Sequence, residues 1–499
     1  MKYSEIAGQD ETLVFLDLET TGLNPSEDRI IEIGAIKVKG NKIVEKFQSL
    51  INPEIHIPLS TIRLSGITDE KVKEGGKKIE EVKSELLDFL GPHTIVGHNV
   101  SFDKEFLSTA GISIKNKFLD TCELACILLP TLKTYSLSHL LRRFNFRDKE
   151  EHRALFDAED TYRLWLTLFD TIKEEDYFLI KRINRLMAQS QWPFKETFQK
   201  LERVMEGTGS EPYPAHKSYV RETKNYEPEK KVRLNTSQIL SLFEKEGFLS
   251  KNLPEYEFRP QQKEMAKIVC QAFNEDKHLL VEAGTGVGKS LAYLIPAIYW
   301  AVHNQVKVVI STNTKNLQNQ LWEKELPFLR KSLGIKFESA LAKGRENYLC
   351  LRRWKKLYEE SSSLFEEEKM ALLYLLTWRY KTRTGLLEEI SPWYQGRFPQ
   401  IKDISRQIYS ERDACLGRYC PFRSSCFYQN VRKETKRADL IISNHALTLS
   451  PPIWFPPFSH LILDEAQNIE DVATDLYTKE ASSFELLSLL KWIYAGRER

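Results

Sequence analysis

Thr12-Leu13-Val14-Phe15-Leu16-Asp17-Leu18-Glu19-Thr20-Thr21-Gly22 is an apolar run broken by two acids and closed by a turn. In a β-strand every second side chain leaves the same face, so Asp17 and Glu19 project side by side. Carboxylates on one edge of an apolar strand are costly unless something neutralises them, and divalent cations do so. Apolar runs at Ile30–Val38, Ile43–Ile51 and Thr94–Gly97 predict further strands, and helical patterning begins near residue 79. Leu155, Ala158, Tyr162, Trp165 and Phe169 recur at helical spacing and predict an amphipathic helix.

The same region offers more acids. Asp103, in Gly97-His98-Asn99-Val100-Ser101-Phe102-Asp103, is a third ligand candidate, and Asp157 is a fourth. His152, five residues before Asp157, is placed to take a proton from an attacking water, since an unperturbed imidazole titrates near ~6.5. Two Mg²⁺ or Mn²⁺ ions ~3.5–4 Å apart, held by such a set, would grip a scissile phosphate. Taken alone, an Asp-x-Glu pair is usually a solvated strand end. In this order and context, Phe15–Gly22 and His152-Arg153-Ala154-Leu155-Phe156-Asp157-Ala158 resemble the DnaQ-like 3′–5′ exonucleases of the His type over residues 10–170. The resemblance implies a ribonuclease H-like fold and release of nucleoside monophosphates from a 3′ end.

A second signature lies in the other half. Ala283-Gly284-Thr285-Gly286-Val287-Gly288-Lys289-Ser290 follows an apolar run, Lys277–Ala283, that reads as a strand. Glycines at 284, 286 and 288 let backbone N–H groups face phosphate oxygens. Lys289 would reach the β- and γ-phosphates of ATP and Ser290 its Mg²⁺. Asp464-Glu465-Ala466-Gln467 ends another apolar run: Asp464 would hold Mg²⁺ and Glu465 would activate water. Arg259 and Gln262, in Arg259-Pro260-Gln261-Gln262, are candidate adenine contacts. These segments resemble the first motor domain of superfamily 2 helicases of the DinG and XPD-like group over residues 236–480, with Gln467 where that group usually has His.

Between the phosphate loop and the acidic box stand Cys350, Cys415, Cys420 and Cys426. Four thiolates suit a 4Fe–4S cluster or, as the second choice, zinc. Lys343-Gly344-Arg345-Glu346-Asn347-Tyr348-Leu349-Cys350 resembles the iron–sulfur domain of the same helicase group. Basic and aromatic residues there, among them Arg345, Tyr348, Arg352, Arg353, Trp354, Arg418, Tyr419 and Tyr428, are candidates for stacking and neutralising single-stranded DNA. Cys122, Cys126 and Cys270 read as buried small hydrophobes.

The expected fold class is therefore α/β: a ribonuclease H-like exonuclease domain, then a RecA-like P-loop motor domain with a helical four-cysteine insertion. The expected domains are 1–172 for the exonuclease and 173–234 for a helical and Pro/Gly/charged linker. The motor takes 235–344 and 438–480, the insertion 345–437, and 481–499 begins a further helical segment. Net charge of +2 demands that any nucleic-acid surface be local. The polar start carries no export pattern, and Leu291–Val302 is shorter than the ~20 residues of a membrane span. A cytoplasmic protein is expected, with no membrane partner. The partner is DNA, single-stranded or with a 3′ end, and RNA is also open. The whole resembles bacterial bifunctional helicase and polymerase III epsilon-like proteins, cut after the first motor domain at Arg499. The competing reading makes the second half an ATP and single-stranded-DNA binding module that does not translocate.

Overall fold

The computed structural model describes residues 11–146, 153–172, 175–206, 231–253, 256–284 and 286–478, with Ser483, Leu486, Leu487, Leu490 and Tyr494 beyond them. His152 and Thr285 lie outside the described residues. The chain divides into two units: 1–214 with 349–409, and 215–348 with 410–499.

The first unit is built on a mixed five-stranded sheet, β1 (Thr12–Thr20), β2 (Ile30–Lys39), β3 (Lys42–Leu50), β4 (Thr94–Gly97) and β5 (Phe118–Asp120), in the order β3-β2-β1-β4-β5. β1 runs antiparallel to β2 and parallel to β4, so the central strand carries Asp17 and Glu19 to one end of the sheet. One face is covered by helices Ile79–Leu90 and Val100–Thr109, whose Val82, Leu86, Phe106 and Leu107 pack under Val14, Leu16 and Ile33. The helix Ala154–Ile172 covers the other face, and Tyr162 and Trp165 meet Phe15 at ring distances of 5.1 and 6.2 Å. The predicted strands and this helix are therefore present.

Residues 349–409, expected within a motor insertion, pack with the N-terminal region. Helix Glu366–Lys381 is buried on all sides from Ala371 to Arg379, the pattern of a core helix and not of a solvated one. Lys381 pairs with the buried Glu175 at 2.6 Å, and the Tyr358 hydroxyl donates to the Arg182 carbonyl at 2.9 Å. The expected insertion 345–437 is thus divided between the two units.

The second unit holds a parallel sheet of β6 (Val308–Thr312), β7 (Ser339–Leu341), β8 (Leu440–Asn444) and β9 (His460–Leu463), in the order β7-β8-β6-β9. The helix Lys289–Asn304 is almost wholly buried from Ala292 to Ala301. Lys277–Ala283 is not a strand. A strand exists through its neighbours' hydrogen bonds; the described residues supply none here, and Leu280 stands 92 % exposed. Among the described residues no helix is long and apolar enough to cross a membrane.

Candidate active sites

Asp17, Glu19 and Asp157 each bring a carboxylate oxygen within 4.8 Å of the others. The strand supplies the first two. The third needs helix Ala154–Ile172 to start close against β2, and Gly34, paired with Asp17 across the ladder, permits that. A Cβ at Gly34 would stand 2.1 Å from the Leu155 nitrogen. Glu32, fully buried opposite Glu19 two pairs further along, fixes the helix start. It accepts from Arg153 Nε at 3.0 Å and Nη2 at 2.6 Å, from the Ala154 amide at 3.0 Å and from Gln48 at 2.8 Å. Neither Gly34 nor the Glu32–Arg153 pair is singled out by the sequence motifs, yet both decide where Asp157 stands.

Asp103 is outside that trio but buried beside it, with the Leu18 amide directed at its carboxylate. Its helix begins at Asn99, held left-handed at φ 65° with its amide on Asp120 Oδ1 at 2.9 Å. Burial and the mutual repulsion of Asp103, Asp157, Glu19 and Glu32 drive Asp17 well above the ordinary carboxylate range. Burial, then Asp157 and Glu32, push Glu19 up to about 8 against the opposing pull of Arg153. Such a donor set fits hard divalent cations, which take oxygen ligands and cancel clustered negative charge. His98 does not compete for the role of base, because its ring nitrogens engage Thr121 at 2.9 Å and the Tyr135 carbonyl at 2.8 Å.

In the second unit Gly286 and Gly288 both adopt φ 81°, a conformation glycine reaches without strain. Gln262 donates to the Gly288 carbonyl at 2.8 Å, Arg259 donates to the Gly286 carbonyl, and Lys289 Nζ donates to the Ala283 carbonyl at 3.0 Å. Arg259 and Gln262 therefore brace the phosphate loop here. Asp464 accepts from the Tyr293 hydroxyl at 2.8 Å, and its amide reaches the Ser311 carbonyl at 2.9 Å. Glu465 sits at φ 58° with Oε2 buried and without a hydrogen-bond partner. Ser290 reaches Glu325, which also feels the charge of Asp464. Sequence reading did not single out Glu325. Gly284 and Val287 lie on the same loop, and Ser290 is the second residue of the following helix.

Residues 14–165 match the family model described as Exonuclease, and residues 259–386 match that of the DEAD/DEAH box helicases. A 3′-5′ exonuclease DinG of Bacillus subtilis (strain 168) is 30 % identical over 513 residues, covering 98 % of this chain and 53 % of that protein. Its Staphylococcus aureus (strain USA300) namesake is 27 % identical over 485 residues, covering 94 % and 52 %. The chain therefore joins a region similar to the exonuclease family to a region similar to the DEAD/DEAH box helicases, in the order found in these DinG relatives. It spans about half the length of these curated relatives. Among solved structures, exonuclease X in complex with 5′ overhanging duplex DNA aligns at TM-score 0.28 and 25 % identity, over 38 % of this chain and 98 % of that one. Exonuclease I of E. coli with a dT13 oligonucleotide aligns at TM-score 0.31 and 20 % identity, over 36 % and 46 %.

The four candidate cluster cysteines are not gathered into one group among the described residues. Cys350 belongs to the exonuclease-containing unit, whereas Cys415, Cys420 and Cys426 belong to the helicase-like one. Among the described residues the acidic trio is the only close grouping of three or more Cys, His, Asp or Glu ligand atoms, and no four-cysteine grouping forms. Cys415 is exposed and its sulfur accepts from Arg345 at 3.1 Å and from the Gly417 amide at 3.4 Å. The partners of this sulfur are thus a guanidinium and a backbone amide. Several aromatics expected to stack bases are core residues: Tyr348, Trp354 and Tyr428 are buried, while Tyr419 is exposed beneath Arg418 at 4.8 Å. Cys122, Cys126 and Cys270 are buried, as their apolar settings indicate.

Proposed function

We propose that this chain removes nucleotides from the 3′ end of DNA in a metal-dependent reaction, coupled to an ATP-binding DNA helicase module, in cytoplasmic DNA repair or replication. The carrying observation is the convergence of Asp17, Glu19 and Asp157 within 4.8 Å at one end of the central strand. Pairing with a helicase-like module favours DNA as the polymer. Asp17, Glu19, Asp157 and the adjacent Asp103 would hold two Mg²⁺ or Mn²⁺ ions. Bound divalent cations supply charge neutralisation of the scissile phosphate, a reactive hydroxide and stabilisation of the leaving oxygen. The protein's part is placement. Glu32 and Arg153 anchor the helix start, so Asp157 cannot retreat from its repelling neighbours. His152 is assigned the proton from the attacking water.

In the other half, the backbone from Gly284 to Gly288, with Thr285 and Val287, would cradle the phosphates of ATP. Lys289 would move from the Ala283 carbonyl to the β- and γ-phosphates. Ser290 and Asp464 would bind the nucleotide's Mg²⁺, and Glu465 would direct water. Arg259 and Gln262 would hold loop and adenine together.

The test is digestion of 3′-labelled single-stranded DNA and RNA of one sequence, with Mg²⁺ and with excess chelator. Mononucleotide release from DNA that chelator abolishes is expected. Faster digestion of RNA would move the substrate class, and chelator-resistant digestion would remove the metal-dependent reading.

The 4Fe–4S assignment to Cys350, Cys415, Cys420 and Cys426 rests on sequence position and spacing, with zinc as the other candidate. Metal analysis of protein purified without oxygen decides it. About four irons per chain, with visible absorbance, would carry the cluster; zinc or no metal would end it.

A further inference from the structure

Helix Pro392–Arg397 comes from the stretch between the phosphate loop and the acidic box, yet it is seated on the exonuclease core. Tyr394 is buried, stacks on Tyr374 at 4.7 Å and on Tyr135 at 5.6 Å, and its hydroxyl donates to the Cys126 carbonyl. Trp393 lies against Tyr135 at 5.4 Å. This aromatic ladder fixes the end of the helix, where Arg397 is exposed. Its guanidinium lies over Trp393 at 5.3 Å, and Nη1 donates to Asn99 Oδ1 at 3.3 Å.

Asn99 marks a particular edge. It follows β4, which runs parallel to β1, with Val96 opposite Phe15. The carboxyl ends of β1 and β4 therefore share one rim, where Asp17 and Glu19 stand and where the helix of Asp103 begins. Ligands of α/β sheets bind beyond the carboxyl ends of the strands. A fixed cation on that rim, backed by an aromatic face, has the chemistry that grips a single strand by its phosphate. An amide oxygen and an indole face hold Arg397, whose charge is also felt by the buried Glu123, a carboxyl that burial pushes up to about 7.

We infer that Arg397, backed by Trp393, is a phosphate contact of the exonuclease cleft contributed by the helicase-like half of the sequence. The inference rests on the nuclease function proposed above. Arg397 touches the polymer backbone away from the reacting bond, so it should govern strand capture and not the chemical step.

The test compares wild type, Arg397→Ala and Arg397→Lys in the full 499-residue chain, digesting a 3′-labelled single-stranded DNA over a salt series. Arg397→Ala should raise KM about five- to tenfold with kcat within about twofold. It should also reduce the slope of log(kcat/KM) against log[salt] by about 0.7, the value for one lost single-strand phosphate contact. Arg397→Lys should recover most of the affinity and the salt slope, which a packing role would not give. If the wild type digests DNA while Arg397→Ala keeps its KM and salt slope, this inference alone falls. A drop confined to kcat overturns it as well. If the wild type digests neither DNA nor RNA, the proposed nuclease falls and this contact with it.

Discussion

Asparagine in place of Asp157 should slow 3′-end digestion by about 10³-fold or more, because losing several kcal/mol of charge stabilisation costs a factor of ten for each ~1.4 kcal/mol. The substitution keeps size and hydrogen-bonding capacity but removes a third of the trio's charge. It should act on stability with the opposite sign. In metal-free protein, burial and then Asp157 hold Glu19 above its ordinary value of 4.5, at about 8. A carboxyl group whose folded pKa is raised stabilises the fold fully below the unfolded value and loses that contribution as pH rises through the folded one. Wild type with chelator should therefore lose stability from pH 5 to pH 8, and Asp157→Asn should lose less. Mg²⁺ should raise the melting temperature of wild type more at pH 8 than at pH 6, since protons and cations compete for the same oxygens. Thermal melts at those pH values with and without Mg²⁺, beside turnover measurements, check both halves. Undiminished digestion by Asp157→Asn would remove the carboxylate trio from the chemistry.

Glu32→Ala should damage the same site without touching a proposed ligand. Breaking a buried ion pair by removing one partner costs about 3–5 kcal/mol. Arg153 is 25 % exposed and can turn toward water, which places the loss near the lower end. The helix start also loses its anchors at the Arg153 guanidinium and the Ala154 amide. Digestion should fall about 10–100-fold, the usual effect of removing an outer partner of a metal ligand. Chemical denaturation and kcat measured together test this. A variant as stable and active as wild type would mean that Asp157 is placed by something other than the Glu32 clamp.

The sequence made the N-terminal sheet readable because apolar strands separated by turn residues have few other solutions. Asp17 and Glu19 were legible for the same reason, since a spacing of two on a strand fixes a shared face. Glu32 and Gly34 were not. A lone acid in a strand looks like a solvated position, and its partner Arg153 lies 121 positions along the chain. The apolar stretch from Met370 to Trp378 within helix Glu366–Lys381 signals burial, but periodicity does not say against what. Cysteine spacing likewise does not say whether thiols converge. The run from Lys277 to Ala283 has strand composition without strand hydrogen bonds, because a ladder depends on a partner that local sequence does not describe. The left-handed backbone at Gly286 and Gly288 was legible because glycines encode backbone shape directly.

The exonuclease-containing unit takes in residues 349–409 as well as the N-terminal region. A shortened gene product stopping at residue 206 would shed the Tyr394 prop and leave Tyr135 and the Cys126 carbonyl facing water. Cleavage between residues 207 and 230 would nick the protein without freeing an intact exonuclease, because part of its hydrophobic interior would remain with the other piece. Inheritance of either half by a new host protein would have to carry this borrowed brace along.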